Sequence, residues 1–299
     1  MLSAGPNALI SERARFVSVE DGFNIKRPML KPRTFDAERN RALDPSGPSG
    51  FVLLDMRDVL LTPYPATTPL LLAKFLRLRA GEEIAAKLRA SGEIYCVLRG
   101  RGSSEQACGE TIDWGAGDIF CLAGGAETSH RAMDEAVLYS VTDEPLLAFS
   151  GVEPAALADS PVEAVHYPAD IIERELQDLY RRSLAPDTPG RALFLTSRKM
   201  EAMRTCTSAL TLTLNAVLPG ERQAPHRHNA AALVFVIKGG PVRSSIGDRH
   251  LTWNYASVLL TPPNAIHSHE NVGSETAVAL IVQDGALHYH CRTMGFEFA

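Results

Sequence analysis

The chain has 299 residues and a mass of 32.4 kDa, enough for two cores of about 150 residues each. Hydrophobic residues make up 45% and charged residues 22%, a globular balance that excludes disorder, collagen-like structure and coiled coil. The net charge of −5 advertises no basic face for nucleic acid or anionic lipid, and no apolar run reaches the roughly 18 residues of a membrane span.

The opening MLSAGPNALISERARF joins no basic stretch to an apolar core, so it does not read as a secretory signal. Residues 1–50 contain RPMLKPRTFDAERN and DPSGPSG, rich in Pro, Gly and charge, and are expected to form an arm laid over a later domain. From Phe51 the texture changes to short apolar runs at 70–78, 94–98, 209–217, 233–237, 258–260 and 277–282. They are separated by Gly, Pro and Asp. Most are four to eight residues long and dominated by Val, Ile and Leu, and Leu210-Thr-Leu-Thr-Leu214 alternates with period two. This is an all-β pattern.

One stretch, YPADIIERELQDLYRR, reads as helix. Ile171, Ile172, Leu176, Leu179 and Tyr180 share one face, Asp170 can cap the start, and Arg181 and Arg182 suit the C-terminal end. Its central position makes it a link between two β domains. The organisation expected is an arm (1–50), a first β domain (51–159), a helical linker (160–185) and a second β domain (186–299). Five cysteines, Cys96, Cys108, Cys121, Cys206 and Cys291, are odd in number and scattered without a CxxC. They form neither a disulfide framework nor a zinc knuckle, and they fit a reducing cytoplasm.

The two β domains read as copies. A shift of 139 residues brings Gly81-Glu82 onto Gly220-Glu221, Val97 onto Val236, Gly100 onto Gly239 and Trp114 onto Trp253, without a gap. The same shift lays Ala126-Glu-Thr-Ser-His130 on Ala265-Ile-His-Ser-His269.

The second copy carries the chemistry. Gly220-x5-His226-Arg-His228 is followed by a strand ending at Gly239 and then by Pro262-Pro-Asn-Ala-Ile-His267-Ser-His269-Glu-Asn271. Residues i and i+2 of a strand face the same way, so His226 and His228 can converge while Arg227 turns away. His267 arrives from a separate strand after a proline turn. Three neutral imidazoles suit Fe, Zn, Cu, Ni or Mn and leave coordination positions open. The plainer reading has the HxH pair facing solvent and His267 in a loop; the repeat, which sets all three on corresponding strands, favours the metal.

These motifs resemble the two sequence motifs of the cupin superfamily, whose jelly-roll barrels hold a metal inside. The usual fourth ligand, a Glu four residues after the second His, is Ala232 here. Within the superfamily, His-Arg-His-x3-Ala-Leu-x-Phe-Val-Ile-x-Gly followed by Thr-Pro-Pro-x3-His-x-His-x-Asn is most similar to the gentisate 1,2-dioxygenase group of bicupins. That resemblance implies two tandem barrels, Fe(II) on His226, His228 and His267 (with Zn, Ni or Mn as alternatives), O2 as co-substrate and a homo-oligomer. It also implies ring cleavage of a small aromatic hydroxy acid, with His269 assisting proton transfer. Ala230 and Val234 depart from the group, which carries polar side chains at or near these places, so a polar aromatic acid meets fewer donors from this strand. Competing readings are a cupin isomerase or a dioxygenase for a non-aromatic substrate, and a non-catalytic bicupin that binds a small molecule.

The first copy keeps the frame and loses the ligands. The ungapped shift places Lys87, Arg89 and Thr128 where the second copy has its three histidines, and leaves Glu93 at the carboxylate position. Glu93 is expected either to neutralise Lys87 and Arg89 in a vestigial barrel or to share with them a pocket for an anion. A second HxH, His288-Tyr-His290, is expected on a strand near the C-terminus, without a third partner in the sequence.

Overall fold

The computed structural model describes residues 10–22, 27–184 and 188–299. A short strand β1 (Arg33–Thr34) and helix α1 (Asp36–Leu43) precede the first barrel. That barrel comprises β2 (Gly50–Leu53), β3 (Leu72–Leu78), β4 (Glu83–Lys87), β5 (Gly92–Arg99), β6 (Arg101–Gln106), β7 (Thr111–Gly115), β8 (Ile119–Ala123), β9 (Glu127–Ala132) and β10 (Ala136–Thr142). Helix α2 (Glu144–Ser150), strand β11 (Val165–Tyr167) and helix α3 (Ala169–Arg181) lead to the second barrel. Its strands are β12 (Arg191–Phe194), β13 (Thr211–Val217), β14 (His226–His228), β15 (Ala232–Lys238), β16 (Val242–Ile246), β17 (Arg249–Trp253), β18 (Val258–Thr261), β19 (His267–Asn271) and β20 (Ala277–Gln283). Helix α4 (Gly285–Cys291) and strand β21 (Phe296–Phe298) follow.

Each barrel pairs a six-stranded sheet with a smaller one, antiparallel throughout. The six-stranded sheets run β11-β8-β5-β10-β3-β2 and β1-β18-β15-β20-β13-β12. The strand that precedes the first barrel, β1, closes an edge of the second barrel's sheet, and β11 closes the first barrel's sheet. The two copies thus exchange their leading strands.

The large sheets pack back to back. Phe75, Ile94, Cys96 and Tyr139 of one join Leu212, Leu233, Phe235 and Leu280 of the other in a single core, with Tyr139 stacked on Phe235 at 4.1 Å between ring centroids. Alternate residues of the same strands fill each barrel's interior, among them Tyr95 and Val97 in the first and Val234 and Val236 in the second, where they meet Trp114 and Trp253 of the smaller sheets. A strand buried on both faces shows an unbroken apolar run, which explains the texture of the sequence. Gly100 and Gly239 repeat because both adopt positive φ where a Cβ would strike the backbone of the strand-leading loop at Glu135 or Thr276.

The predicted helix spans Ala169–Arg181, and its Ile172, Leu176 and Leu179 enter the shared core. Asp170 does not cap it. Pro168 occupies the cap position, and Asp118 of the first barrel accepts the Ala169 N–H at 2.8 Å. All five cysteines are free, with Cys121 and Cys206 touching, 3.2 Å apart between sulfurs, in the core.

The expected places of Lys87 and Arg89 are corrected by strand register. In the second barrel His226 lies opposite His267, whereas in the first Ala86 lies opposite Thr128 and Lys87 opposite Glu127. The second copy holds one extra residue between Gln223, whose N–H reaches the His269 carbonyl, and His226. Upstream of it the 139-residue shift holds; along the ligand strand the offset is 140. Because strand parity is two, this slip turns Lys87 and Arg89 outward and brings Ala86 and Leu88 to the ligand positions. Lys87 is exposed and Arg89 pairs with Glu153.

Glu93 consequently neutralises neither cation. It is fully buried inside the first barrel, where its Oε2 accepts the Tyr95 hydroxyl at 2.6 Å and Tyr95 stacks on Phe120. Burial pushes its pKa up to about 7, against the opposing pull of the Tyr95 hydrogen bond and nearby Lys74. A carboxyl raised in the folded state binds its proton more tightly there than in the unfolded chain. The native state therefore loses stability as pH rises from about 4.5 to about 7. Glu93→Gln removes this loss. Denaturant titration should find the variant more stable than the parent at pH 8, by up to about 3 kcal/mol, with the advantage shrinking toward pH 5. An advantage independent of pH would refute the neutral carboxyl.

Candidate metal centre

The three predicted ligands come together. On β14, His226 and His228 face inward and Arg227 faces out, where it pairs with Glu297 of β21. On β19, His267 sits directly across from His226. All three are buried, and their ligand atoms lie within 4.8 Å of one another.

Each ring is aimed by the same device. Nδ1 of His226, His228 and His267 lies 2.8 Å from the carbonyl oxygen of Ala224, Ala230 and Ala265, each two residues away along the chain. A carbonyl can only accept, so each Nδ1 carries the proton and each Nε2 keeps its lone pair for the centre. Desolvation lowers the pKa of all three, and for His267, with His269 and His226 adding repulsion, down to about 2. The donor set is neutral above mildly acidic pH. Three imidazole nitrogens with no carboxylate fit a divalent transition metal and suit Ca or Mg poorly.

His269 belongs to a different arrangement. Its Nδ1 lies 2.6 Å from Ser244 Oγ, which accepts the Trp253 indole N–H. The first barrel repeats this chain, with His130 Nδ1 2.7 Å from Ser104 Oγ and the Trp114 N–H donated to the same oxygen at 2.9 Å. That barrel has no imidazole trio, so Trp–Ser–His is part of the barrel frame in both copies. In the second barrel the ring also borders the cavity. Burial drops the His269 pKa to about 3, and its Nδ1 shares a hydrogen bond with the Ser244 hydroxyl.

The histidines open on a cavity of about 160 Å³. Val234, Ile281, Phe194, Met294 and Phe296 form its apolar walls, and no lysine or arginine is among the described residues that line it. Comparable apolar cavities of roughly 150 Å³ hold one benzene ring. Sequence reasoning missed Gln283, whose amide nitrogen lies 3.2 Å from His228 Nε2. Its signal is slight: it is the polar residue ending the apolar run of β20, and only the pairing of Ala232 with Gln283 brings it to the site.

The second HxH takes no part. His288 and His290 lie on helix α4 and not on a strand, with His288 Nδ1 3.1 Å from the Asn229 amide nitrogen. Tyr289, between them, reaches the cavity wall. A larger crevice of about 270 Å³ lies beneath α3 and contains no group of ligating side chains among the described residues.

Comparison with known proteins agrees with this geometry. A cupin domain model matches residues 214–283. A gentisate 1,2-dioxygenase of Aquipseudomonas alcaligenes is 33% identical over 87 residues, which is 29% of this chain and 25% of that protein. One from a Ralstonia species is 30% identical over 110 residues, 37% of this chain and 29% of that protein. The matched stretches thus span less than a third of these curated relatives. Among solved structures, salicylate 1,2-dioxygenase of Pseudaminobacter salicylatoxidans superposes with a TM-score of 0.75 at 13% identity, over 98% of this chain and 96% of that one. The chain has the fold of two tandem cupin barrels, as in salicylate 1,2-dioxygenase, with local sequence similarity to gentisate 1,2-dioxygenases.

Proposed function

We propose that the chain is a metal-dependent, ring-cleaving dioxygenase of the gentisate type. His226, His228 and His267 would hold Fe(II) through Nε2, and a small aromatic hydroxy acid would occupy the cavity. The observation that carries this reading is the convergence of three lone-pair nitrogens, each fixed by a carbonyl, on a space the size of one ring. The similar proteins are gentisate and salicylate 1,2-dioxygenases, which supports the same reaction class.

When bound, Fe(II) supplies a Lewis acid for substrate oxygens and a redox partner for O2. The chain's own residues do the rest. The apolar walls exclude water and hold the ring beside the histidines. His269, held by Ser244 at the edge of the cavity, would assist proton transfer to or from a substrate oxygen. With no lysine or arginine among the described lining residues, a bound ion would be the positive charge that a substrate carboxylate meets. A homo-oligomer in the cytoplasm belongs to the same reading.

Elemental analysis of untagged protein should find one transition-metal ion per chain. His226→Ala, His228→Ala and His267→Ala should each remove it while leaving the circular dichroism of the barrels intact. Lys87→Ala and Arg89→Ala, on the outside of the first barrel, should leave metal content unchanged. Two ions per chain, or full occupancy in the triple histidine variant, would contradict the assignment.

Oxygen-electrode measurements supply the catalytic test. The iron-loaded protein should consume O2 with a hydroxylated aromatic carboxylate, and His267→Ala should lower the rate by about a thousandfold or more. Inactivity of iron-loaded protein across a broad panel of such acids would remove the enzymatic reading and leave the small-molecule binder.

A further inference from the structure

The ligand strand β14 depends on β21 more than on β19. It pairs with β19 at His226 alone, and with β21 at all three of its residues, His226, Arg227 and His228. Opposed residues share a face, so Phe296 and Phe298 lie on the side of the imidazoles and Glu297 lies outside with Arg227. The Phe296 ring stacks on His226 at 5.2 Å between centroids, and Met294 and Phe296 form part of the cavity wall. Asn229, next along the chain after His228, holds the returning segment. Its side chain donates to the Thr293 carbonyl at 2.7 Å and accepts the Gly295 N–H at 2.9 Å.

The first barrel serves as an internal comparison. Helix α2 follows β10 there as α4 follows β20, and Arg89 follows Leu88 as Asn229 follows His228. Arg89 also reaches the segment beyond its helix, donating to the Val152 carbonyl at 3.0 Å and pairing with Glu153. Among the described residues that segment forms no strand on β4, which stands at the edge of its sheet. The extra strand therefore accompanies the histidines and is missing where they are missing.

The extra strand is lightly held. Every residue of β21 is exposed, whereas the three imidazoles beneath it are buried. The other edge strand at the cavity, β12, is anchored by buried Arg191, whose guanidinium reaches the Leu179 carbonyl at 3.2 Å and Glu221 at 3.5 Å. A strand with few buried apolar contacts opens locally at a free energy well below that of global unfolding. We propose that β21 is a latched cover over the metal centre and that Asn229 is the positioning residue that seats it. Ions and ligands enter and leave when the cover lifts off β14. This inference rests on reading the three histidines as a metal site.

Protein loaded with Co(II) reports the centre through its visible bands, and excess EDTA reads the rate of release. Asn229→Ala should speed release about tenfold or more, with the bands of the loaded protein in the parent's positions. A second variant tests the cover in the opposite direction. Arg227→Cys with Glu297→Cys sets two thiols on directly opposed residues, at a spacing a disulfide can bridge. Cys108→Ser and Cys291→Ser remove the exposed native thiols from the same chain. The disulfide-linked protein should release Co(II) about tenfold or more slowly than the same protein reduced, an effect that loosening of the barrel cannot produce. Release left unchanged by the disulfide or by Asn229→Ala overturns the cover while leaving the metal reading in place. Shifted bands in Asn229→Ala would make Asn229 a support of the ligands themselves and overturn the cover too. If the parent protein takes up no Co(II), the metal reading fails and the cover fails with it.

Discussion

The rest of the molecule depends on two sheets each being buried on both faces. One face of each fills a barrel, the other fills the core between barrels, and β1 and β11 cross over to seal the opposite partner's edge. Apolar burial contributes roughly 25 cal/mol per Å2, and much of it comes from the shared face. The barrel interiors are thereby freed from carrying the whole hydrophobic load. The second can hold four histidines and a cavity, and the first can hold a buried Glu93.

The centre is built from neutral parts held by backbone. A carbonyl fixes each ligating ring, and the carbonyls lie two residues from the rings they orient, so the strands that make the barrel also set the tautomers. Desolvation keeps the imidazoles unprotonated, which is the state in which nitrogen can donate an electron pair. The Trp–Ser–His chain shows a different economy. It recurs in a barrel without a centre, so its first duty is to the frame, and only in the second barrel does the cavity reach it.

Much of this was legible in the sequence. Doubly buried strands write themselves as apolar runs, and the HxH with a third histidine carries its own parity argument, so both the all-β class and the trio at 226, 228 and 267 could be read directly. The positions of Lys87 and Arg89 could not. An ungapped alignment has no means of registering one extra residue between Gln223 and His226, and parity converts that single residue into opposite faces. Gln283 was hidden for another reason. It is one polar residue at the end of an apolar run, and its meaning depends on which strand lies beside it. The HYH segment misled because its spacing suits a strand, whereas Ala286 anchors it as a helix against the body.

The extra residue ahead of His226 also bears on how two such copies part ways. The chain from Gln223 to Ala232 is as long as that from Ile84 to Glu93, so the residue gained before the strand is given back in the loop after it. A slip between fixed ends turns an entire ligand strand over, exchanging inner for outer side chains. A copy altered in this way loses its centre at once. Its outward face still meets the shared core through other strands, so it survives as a folded wall. The step is hard to retrace by substitution: histidines placed at 87 and 89 would point into solvent. Restoring a centre would require histidines at 86, 88 and 128 and removal of the Glu93–Tyr95 filling. Divergence of the two barrels therefore behaves as a ratchet, set by the geometry of a pleated strand.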